Sequence, residues 1–203
     1  MQRDVRASLR AFYDQEMADR ASRPVVEERS QHLDRFLEEL EHRGAVSVVE
    51  VGCGAGRDGA IINDTGLDYT GVDLSASSIN ICNGQGLRAV QADAVSLPFE
   101  DSTFDAAWSM STLMHLPGVE FGLALHELTR VVRPGGVIEV GVWGYVDNRE
   151  RISPDGRFFG QRSDEAFQAE LAEVGTVLDF ETWAWQADAG HYQWARIEVP
   201  VTP

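Results

Sequence analysis

Residues 48–56 read VVEVGCGAG, an apolar run that passes directly into three glycines at alternate positions. The run has the length and composition of a strand buried inside a parallel sheet. Glycine lacks a Cβ atom, so the backbone after the run can approach a ligand closely, and the free N–H groups of a following helix suit an anionic group. A tight turn without a ligand is the alternative, but three such glycines exceed what a turn requires. The stretch therefore predicts a strand, a ligand-binding loop and a helix.

The same alternation of strands and helices continues on the C-terminal side. Apolar runs that predict strands lie at 45–51, 69–74, 87–91, 104–110 and 137–143. Helical patterns separate these runs, which predicts an α/β fold with a doubly wound parallel sheet covered by helices on both faces. Two further strand-like runs, 176–185 and 192–199, are joined by a short turn. Because so short a connection allows only antiparallel pairing, the sheet should end in a hairpin.

Two amphipathic helices are predicted before the sheet, over residues 4–20 and about 26–43. Gly44 follows the second helix and is a typical C-terminal glycine. A chain of 203 residues has the size of one domain. We therefore expect a single domain over 1–203, made of a helical segment at 1–43, a binding core at 44–144 and a C-terminal part at 145–203.

Composition limits the classes of partner. The sequence has 17 Lys and Arg against 33 Asp and Glu, a formal net charge of −16. So acidic a chain is repelled by phosphate backbones, which counts against nucleic acid as the main partner. Cys53 and Cys82 form no disulfide framework, the first residues contain no signal-peptide core, and no stretch approaches the roughly 20 apolar residues of a membrane span. We expect a cytoplasmic protein with no membrane segment and no metal site.

Two cofactor classes use a glycine-rich turn after a strand. The dinucleotide pattern Gly-x-Gly-x-x-Gly matches residues 54–59, but this match starts three residues after the strand and leaves Gly52 unexplained. Read from Gly52, the dinucleotide pattern fails at Arg57. A nicotinamide-dependent oxidoreductase would also need a substrate domain, for which 203 residues leave little room.

Five segments in chain order resemble the motifs of the class I S-adenosylmethionine-dependent methyltransferases. They are EVGCGAG at 50–56, GVDLS at 71–75, QADA at 91–94, FDAAWS at 104–109 with LMHLP at 113–117, and ELTRVVRPGG at 127–136. One such motif is a weak signal, whereas five in order are specific. The resemblance covers residues 45–143 and is to the small ubiquinone- and menaquinone-biosynthesis type, the methyltransferase type 11 group.

The resemblance implies a Rossmann-like sheet of seven strands in the order 3-2-1-4-5-7-6, with the seventh antiparallel. It also implies S-adenosylmethionine as cofactor, S-adenosylhomocysteine as product, and N-terminal helices that form a lid. The core at 44–144 would then bind the cofactor, and the part at 145–203 would form the acceptor side. Arginines in the 143–162 segment could hold a carboxylate, although a solvated loop is an equal alternative.

The same resemblance indicates which residues contact the cofactor. They are Tyr13, Glu50, Gly52, Cys53, Gly54, Ala55, Gly56, Asp73, Leu74, Asp93, Ala94 and Ser109. Asp73 would accept hydrogen bonds from both ribose hydroxyls, or else cap a helix. Asp93 would accept from the adenine amino group beside the Ala94 N–H, or else be a loop acid. Glu50 would orient the glycine loop and approach the methionine amino group, and Cys53 would be a small filler.

His115 is the candidate general base. It follows the fourth strand at the edge of the sheet where open α/β folds bind ligands, and a neutral imidazole suits proton abstraction. A packing histidine is the alternative, and a thiolate or free amine acceptor would need no base. The predicted reaction is in-line transfer of a methyl group to a small-molecule acceptor, at oxygen or nitrogen. Open alternatives are a tRNA-modifying methyltransferase, the NAD-dependent oxidoreductase and a non-catalytic binding module, each as a monomer or homodimer.

Overall fold

The computed structural model describes the backbone of residues 2–21, 27–184 and 190–201, and the side chains within them except for 2–4 and 18–21. Nine strands lie in this part of the chain: β1 Ser47–Val51, β2 Asp68–Asp73, β3 Ala89–Gln91, β4 Phe104–Met110, β5 Val132–Gly144, β6 Arg149–Ile152, β7 Phe158–Gln161, β8 Thr176–Ala184 and β9 His191–Glu198. The helices are α1 Gln2–Ala21, α2 Glu27–Arg43, α3 Arg57–Asp64, α4 Ala76–Gly84, α5 Glu120–Val131 and α6 Asp164–Ala172.

Seven of these strands form one sheet in the order β3-β2-β1-β4-β5-β9-β8. Strands β1 to β5 are parallel, and β9 runs antiparallel to both β5 and β8. Counted along this sheet, the order is 3-2-1-4-5-7-6 with the seventh strand antiparallel. The structure therefore confirms the predicted fold, while the tip of the terminal hairpin at 185–189 lies outside the described residues.

Helices cover the two faces of the sheet as the alternation predicts. Phe121 and Leu125 of α5 and Phe167 of α6 belong to one buried apolar cluster, and Phe36 of α2 and Ile62 of α3 belong to the other. Helix α2 ends at Gly44, whose φ of +65° is a left-handed conformation that glycine adopts without strain. Among the described helices, none has both the length and the hydrophobicity that crossing a bilayer requires.

The segment after β5 contains a hairpin that the sequence analysis does not predict. Strands β6 and β7 pair antiparallel, from Arg149 opposite Gln161 to Ile152 opposite Phe158. The turn between them includes Gly156 at a φ of +83°. Strand β6 reads RERI, and its charged residues conceal the strand pattern, whereas Phe158 and Phe159 of β7 are buried. Of the two alternatives for this segment, the solvated loop does not describe residues 149–161, which form a hairpin.

Candidate active site

The glycine loop between β1 and α3 is held by the strand next to it. The N–H groups of Gly52 and Cys53 both donate to the carbonyl oxygen of Val72, at 2.7 and 3.0 Å. Gly52 has a φ of +85°, and a Cβ atom placed there would lie 1.8 Å from the Oγ1 of Thr112. Glycine is therefore required at position 52 by both backbone conformation and the close approach of the segment after β4.

Asp73 ends β2 and fixes the loop from the side. Its Oδ2 accepts from the Gly54 N–H at 2.9 Å, and its Oδ1 accepts from the Ser75 N–H at 2.8 Å. Burial raises the pKa of Asp73, and these two hydrogen bonds counteract that rise. The helix cap that was the alternative role for Asp73 belongs to Ser75, whose Oγ accepts from the Ser78 N–H. Each carboxylate oxygen keeps a second lone pair with which to accept from a ligand.

One cavity opens at the carboxyl ends of β1, β2 and β4, where open α/β sheets bind ligands. It brings together most of the residues that the sequence analysis selects, namely Tyr13, Gly52, Cys53, Gly54, Ala55, Asp73, Leu74, Asp93, Ala94 and His115. Residues from α1, the glycine loop and the segment after β4 therefore meet around one space, although they are far apart in sequence.

Three predicted contact residues do not line this cavity. Glu50 is buried behind the loop and accepts from the Tyr69 hydroxyl at 2.6 Å, and burial raises its pKa well above the usual range. Ser109 is also buried and donates from Oγ to the Val51 carbonyl oxygen at 2.9 Å. Gly56 begins α3 at a φ of +76° and faces Leu87. None of the three lines the cavity in this structure, and their expected contact with the cofactor stays a prediction.

A second acid, Asp58, lies at the cavity wall near the glycine loop and was not among the predicted site residues. Asp58 forms an ion pair with Arg29 of α2 at 2.7 Å and accepts from Trp108 Nε1 at 2.8 Å. Burial opposes the charge on Arg29, but Asp58, Tyr192 and Glu50 together outweigh it, so the pKa of Arg29 is raised. Both side chains line the cavity. The sequence feature that could have identified Asp58 is its position in the first turn of the helix that follows the glycines.

Asp93 lies at the opposite end of the cavity, and α1 reaches it. The Arg6 guanidinium forms an ion pair with the Asp93 carboxylate and donates a second hydrogen bond to Glu120 Oε1 at 2.8 Å. Asp93 Oδ1 also accepts from the Val95 N–H at 3.2 Å. Nothing in the sequence pattern of α1 distinguishes Arg6 from its neighbouring arginines, so this contact was missed.

His115 is buried and bonded at both ring nitrogens. Its Nδ1 lies 2.7 Å from the Phe158 carbonyl oxygen, and its Nε2 lies 2.8 Å from the Tyr13 hydroxyl. A carbonyl oxygen can only accept, so Nδ1 carries the proton and Nε2 of the neutral ring accepts from Tyr13. His115 therefore has the tautomer that a base acting through Nε2 requires.

The β6–β7 hairpin completes the surroundings of this histidine. Phe159 packs edge-on against the His115 ring with centroids 4.7 Å apart, and Arg157 lies over the ring of Phe12 at 4.3 Å. Burial opposes the charge on Arg157, but Asp155 and Tyr13 outweigh it and raise its pKa. Three elements that are distant in sequence thus meet at His115: α1, the turn after β4, and the hairpin.

Comparison with known proteins gives a consistent set of similarities. Residues 49–140 match a family described as methyltransferase domain. The fatty-acid O-methyltransferase of Mycolicibacterium smegmatis is 38% identical over 120 residues, which are 53% of this chain and 43% of that protein. The tRNA (carboxymethyluridine(34)-5-O)-methyltransferase of Arabidopsis thaliana is 38% identical over 109 residues, 53% of this chain and 26% of that protein. The chain therefore spans less than half the length of these two relatives.

A solved structure shares the fold over nearly the whole chain. The 1,6-didemethyltoxoflavin-N1-methyltransferase of Burkholderia thailandensis, crystallised with 1,6-didemethyltoxoflavin and S-adenosylhomocysteine, superposes with a TM-score of 0.81. The superposition covers 99% of this chain and 91% of that one, at 21% sequence identity. At this identity the similarity is one of fold.

Proposed function

We propose that this chain is a class I S-adenosylmethionine-dependent methyltransferase and that it transfers a methyl group from S-adenosylmethionine to a small-molecule acceptor. The observation that carries the proposal is the Asp73 carboxylate at the cavity wall, tied to the glycine loop through the Gly54 N–H at 2.9 Å. A carboxylate fixed in this way can accept from two vicinal hydroxyls.

The cavity wall fits the predicted cofactor at several points. Gly54 lines the cavity, and a Cβ atom placed there would contact the Met17 sulfur of α1 at 3.7 Å, so the glycine keeps the loop backbone accessible beneath the lid. Asp73 would bind the ribose hydroxyls and Asp93 the adenine amino group, once the latter is released from Arg6. When bound, the cofactor supplies the electrophilic methyl group on its sulfonium. The chain's own part is to orient the two reactants and to exclude water.

For an oxygen or protonated nitrogen acceptor, we assign the base to the pair of Tyr13 and His115. The Tyr13 hydroxyl faces the cavity and donates to His115 Nε2 at 2.8 Å. A proton lost by the acceptor would pass to the Tyr13 oxygen as the Tyr13 proton moves to Nε2. The Phe158 carbonyl oxygen, which accepts from Nδ1–H, then stabilises the imidazolium.

We also propose a separate role for each of three parts of the chain. Residues 1–43 act as the lid, because Arg6, Tyr13 and Arg29 reach the cavity from α1 and α2. Residues 44–144 form the cofactor core, and residues 145–203 contribute the hairpin on the acceptor side. The acceptor is a small molecule, and the chain acts as one domain.

Titration calorimetry of the full chain with S-adenosylhomocysteine tests the proposal, with NAD(H) as the control ligand. We expect micromolar binding of S-adenosylhomocysteine alone, followed by an acceptor screen that detects S-adenosylhomocysteine formation. Binding of NAD(H) alone would instead support the oxidoreductase and the match at residues 54–59. Binding of neither ligand would support a non-catalytic module.

A tRNA acceptor is the second candidate, favoured by the Arabidopsis relative. The net charge of −16 opposes it, since phosphate binding requires basic side chains. The two candidates differ in their response to salt. A tRNA acceptor would give binding that weakens steeply with salt concentration, whereas a small-molecule acceptor would not.

A further inference from the structure

Two arginines on one face of β6 converge on a single neutral side chain. Arg149 and Arg151 both donate from Nε to the Oε1 of Gln161 on β7, at 2.9 and 3.2 Å. Gln161 is buried, and its Nε2 donates to the Gly144 carbonyl oxygen at 3.1 Å. That second bond fixes which end of the amide faces the arginines, so the arrangement is built by the fold.

Aromatic rings hold both guanidinium groups in place. The Cζ of Arg149 lies 3.2 Å from the centroid of the Tyr145 ring, and the Cζ of Arg151 lies 4.5 Å from that of Phe159. Stacking fixes the plane of a guanidinium and leaves its edge available for two parallel hydrogen bonds. Only the Nε atoms are used in hydrogen bonds within the part of the chain that the structure describes.

The two arginines form no ion pair with the carboxylates nearest to them, although Glu150 and Glu170 line the same depression as Arg149 and Gln161. Most arginines whose side chains are described form ion pairs, as Arg157 does with Asp155 and Arg162 with Glu170. Neither Arg149 nor Arg151 has a carboxylate partner among the described residues, although the chain carries a net charge of −16. Glu150, between them, accepts from the Gly118 N–H. Two adjacent positive charges on a neutral amide form a site for an anion.

We propose that Arg149 and Arg151, held by Gln161, bind an oxyanion group of the methyl acceptor, a carboxylate or a phosphate. Phe159 relates this site to the candidate base, because its ring packs against both the Arg151 guanidinium and the His115 imidazole. An acceptor could thus place its anionic group on the hairpin and its methyl-accepting atom near Tyr13. The assignment of the anion to the acceptor rests on the proposed function, whereas the anion site itself does not.

The anion site is tested without methyl transfer, on the full chain labelled with 15N-arginine. The Nε–Hε resonances are followed while inorganic phosphate or acetate is added, against sodium chloride at equal ionic strength. We expect saturable shifts of the Arg149 and Arg151 resonances, assigned through Arg149→Gln and Arg151→Gln, and at least tenfold weaker anion binding in each variant. The preferred probe distinguishes a phosphate-bearing acceptor from a carboxylate.

Gln161→Glu is the decisive variant, because a carboxylate of the chain would then neutralise the same two arginines. Anion binding should be lost, while loss of the Nε2–H donor to the Gly144 carbonyl oxygen should lower the melting temperature without unfolding the chain. Arg88→Gln removes an exposed arginine just before the edge strand β3 and should leave anion binding unchanged. Shifts no larger than those caused by chloride, or equal shifts in Gln161→Glu, would overturn the proposal. Calorimetry with S-adenosylhomocysteine on the same samples tests the proposed function separately.

Discussion

The two walls of the cavity are built in different ways. We call the wall formed by Gly52, Gly54 and Asp73 the cofactor wall. Backbone N–H groups and one carboxylate shape it, and its residues lie within two consecutive strand–loop units. On the acceptor wall, side chains from three distant elements meet, and Tyr13 is 102 positions away from His115. A wall built from backbone groups requires particular residues, such as glycine, at a few positions. A wall built from side chains can be altered by substituting one side chain without displacing the others.

Gly52→Ala is the change that should damage the cofactor wall most. The new Cβ would lie 1.8 Å from Thr112 Oγ1, so the loop must move. We expect S-adenosylhomocysteine to bind about a hundredfold more weakly, equivalent to roughly 2.7 kcal/mol, by calorimetry. Gly66→Ala is the matched control, because its φ of +90° carries the same strain with no atom within 4 Å. Equal affinity of the two variants would contradict the close-approach argument.

Asp73→Ala tests the carboxylate on the same wall. Loss of the Gly54 and ribose hydrogen bonds should weaken cofactor binding by more than about tenfold, or roughly 1.4 kcal/mol. Asp68→Ala, at the exposed start of the same strand, changes the net charge equally and should leave the affinity unaltered. An unchanged affinity in Asp73→Ala would rule out the ribose assignment.

Tyr13→Phe and His115→Ala test the acceptor wall. With an acceptor from the screen, each should lower turnover by about tenfold or more, while the affinity for S-adenosylhomocysteine changes by less than about threefold. His126→Ala removes an exposed histidine of α5 and should have no effect. If His115→Ala turns over at the wild-type rate, His115 is a packing residue.

Glu139 is buried in the sheet and does not line the cavity, so it should affect the stability of the fold and not cofactor binding. It accepts from Arg196 and Trp194 on β9, both at 2.8 Å, and burial raises its pKa to about 7. The folded carboxyl then binds its proton more tightly than the unfolded one. Its contribution to the free energy of unfolding should therefore fall by roughly 2–3 kcal/mol as pH rises from about 4.5 to about 7, and level off above.

Glu139→Gln should remove that part of the pH dependence. Denaturant unfolding of the wild-type and variant chains between pH 4.5 and pH 8 measures the difference. Cofactor affinity should stay the same in the variant. Parallel stability curves for the two proteins would show that Glu139 does not titrate in this range.

The contrast between the walls also explains what could be predicted from the sequence. The alternation of strands and helices, the terminal hairpin and the loop residues around Gly52 could be predicted from short local patterns, whereas the sheet order followed from the family resemblance. Glu50 and Ser109 are in the same motifs, yet their side chains bond within the protein, to Tyr69 and to the Val51 carbonyl oxygen, which the motifs do not reveal.

The rest depends on contacts between distant segments. Arg6 reaching Asp93 depends on where α1 docks, which no pattern within the helix reveals. The β6–β7 hairpin was hidden because β6 is charged and its stability comes from Phe158 and Phe159 of the other strand. Asp58 was missed because its partner Arg29 lies in another helix.

Helix α1 bonds to the rest of the molecule at points along its length. Arg6 binds Asp93, Tyr13 binds His115, and Asp14 accepts from Ser75 at the start of α4. Because all three contacts belong to one helix, α1 cannot move away from Asp93 as a rigid body without also straining its contacts with His115 and Ser75. If the proposed function holds, we expect movement of α1 away from Asp93 to disturb the bond between Tyr13 and His115 as well, so that cofactor entry and proton transfer are coupled through this helix.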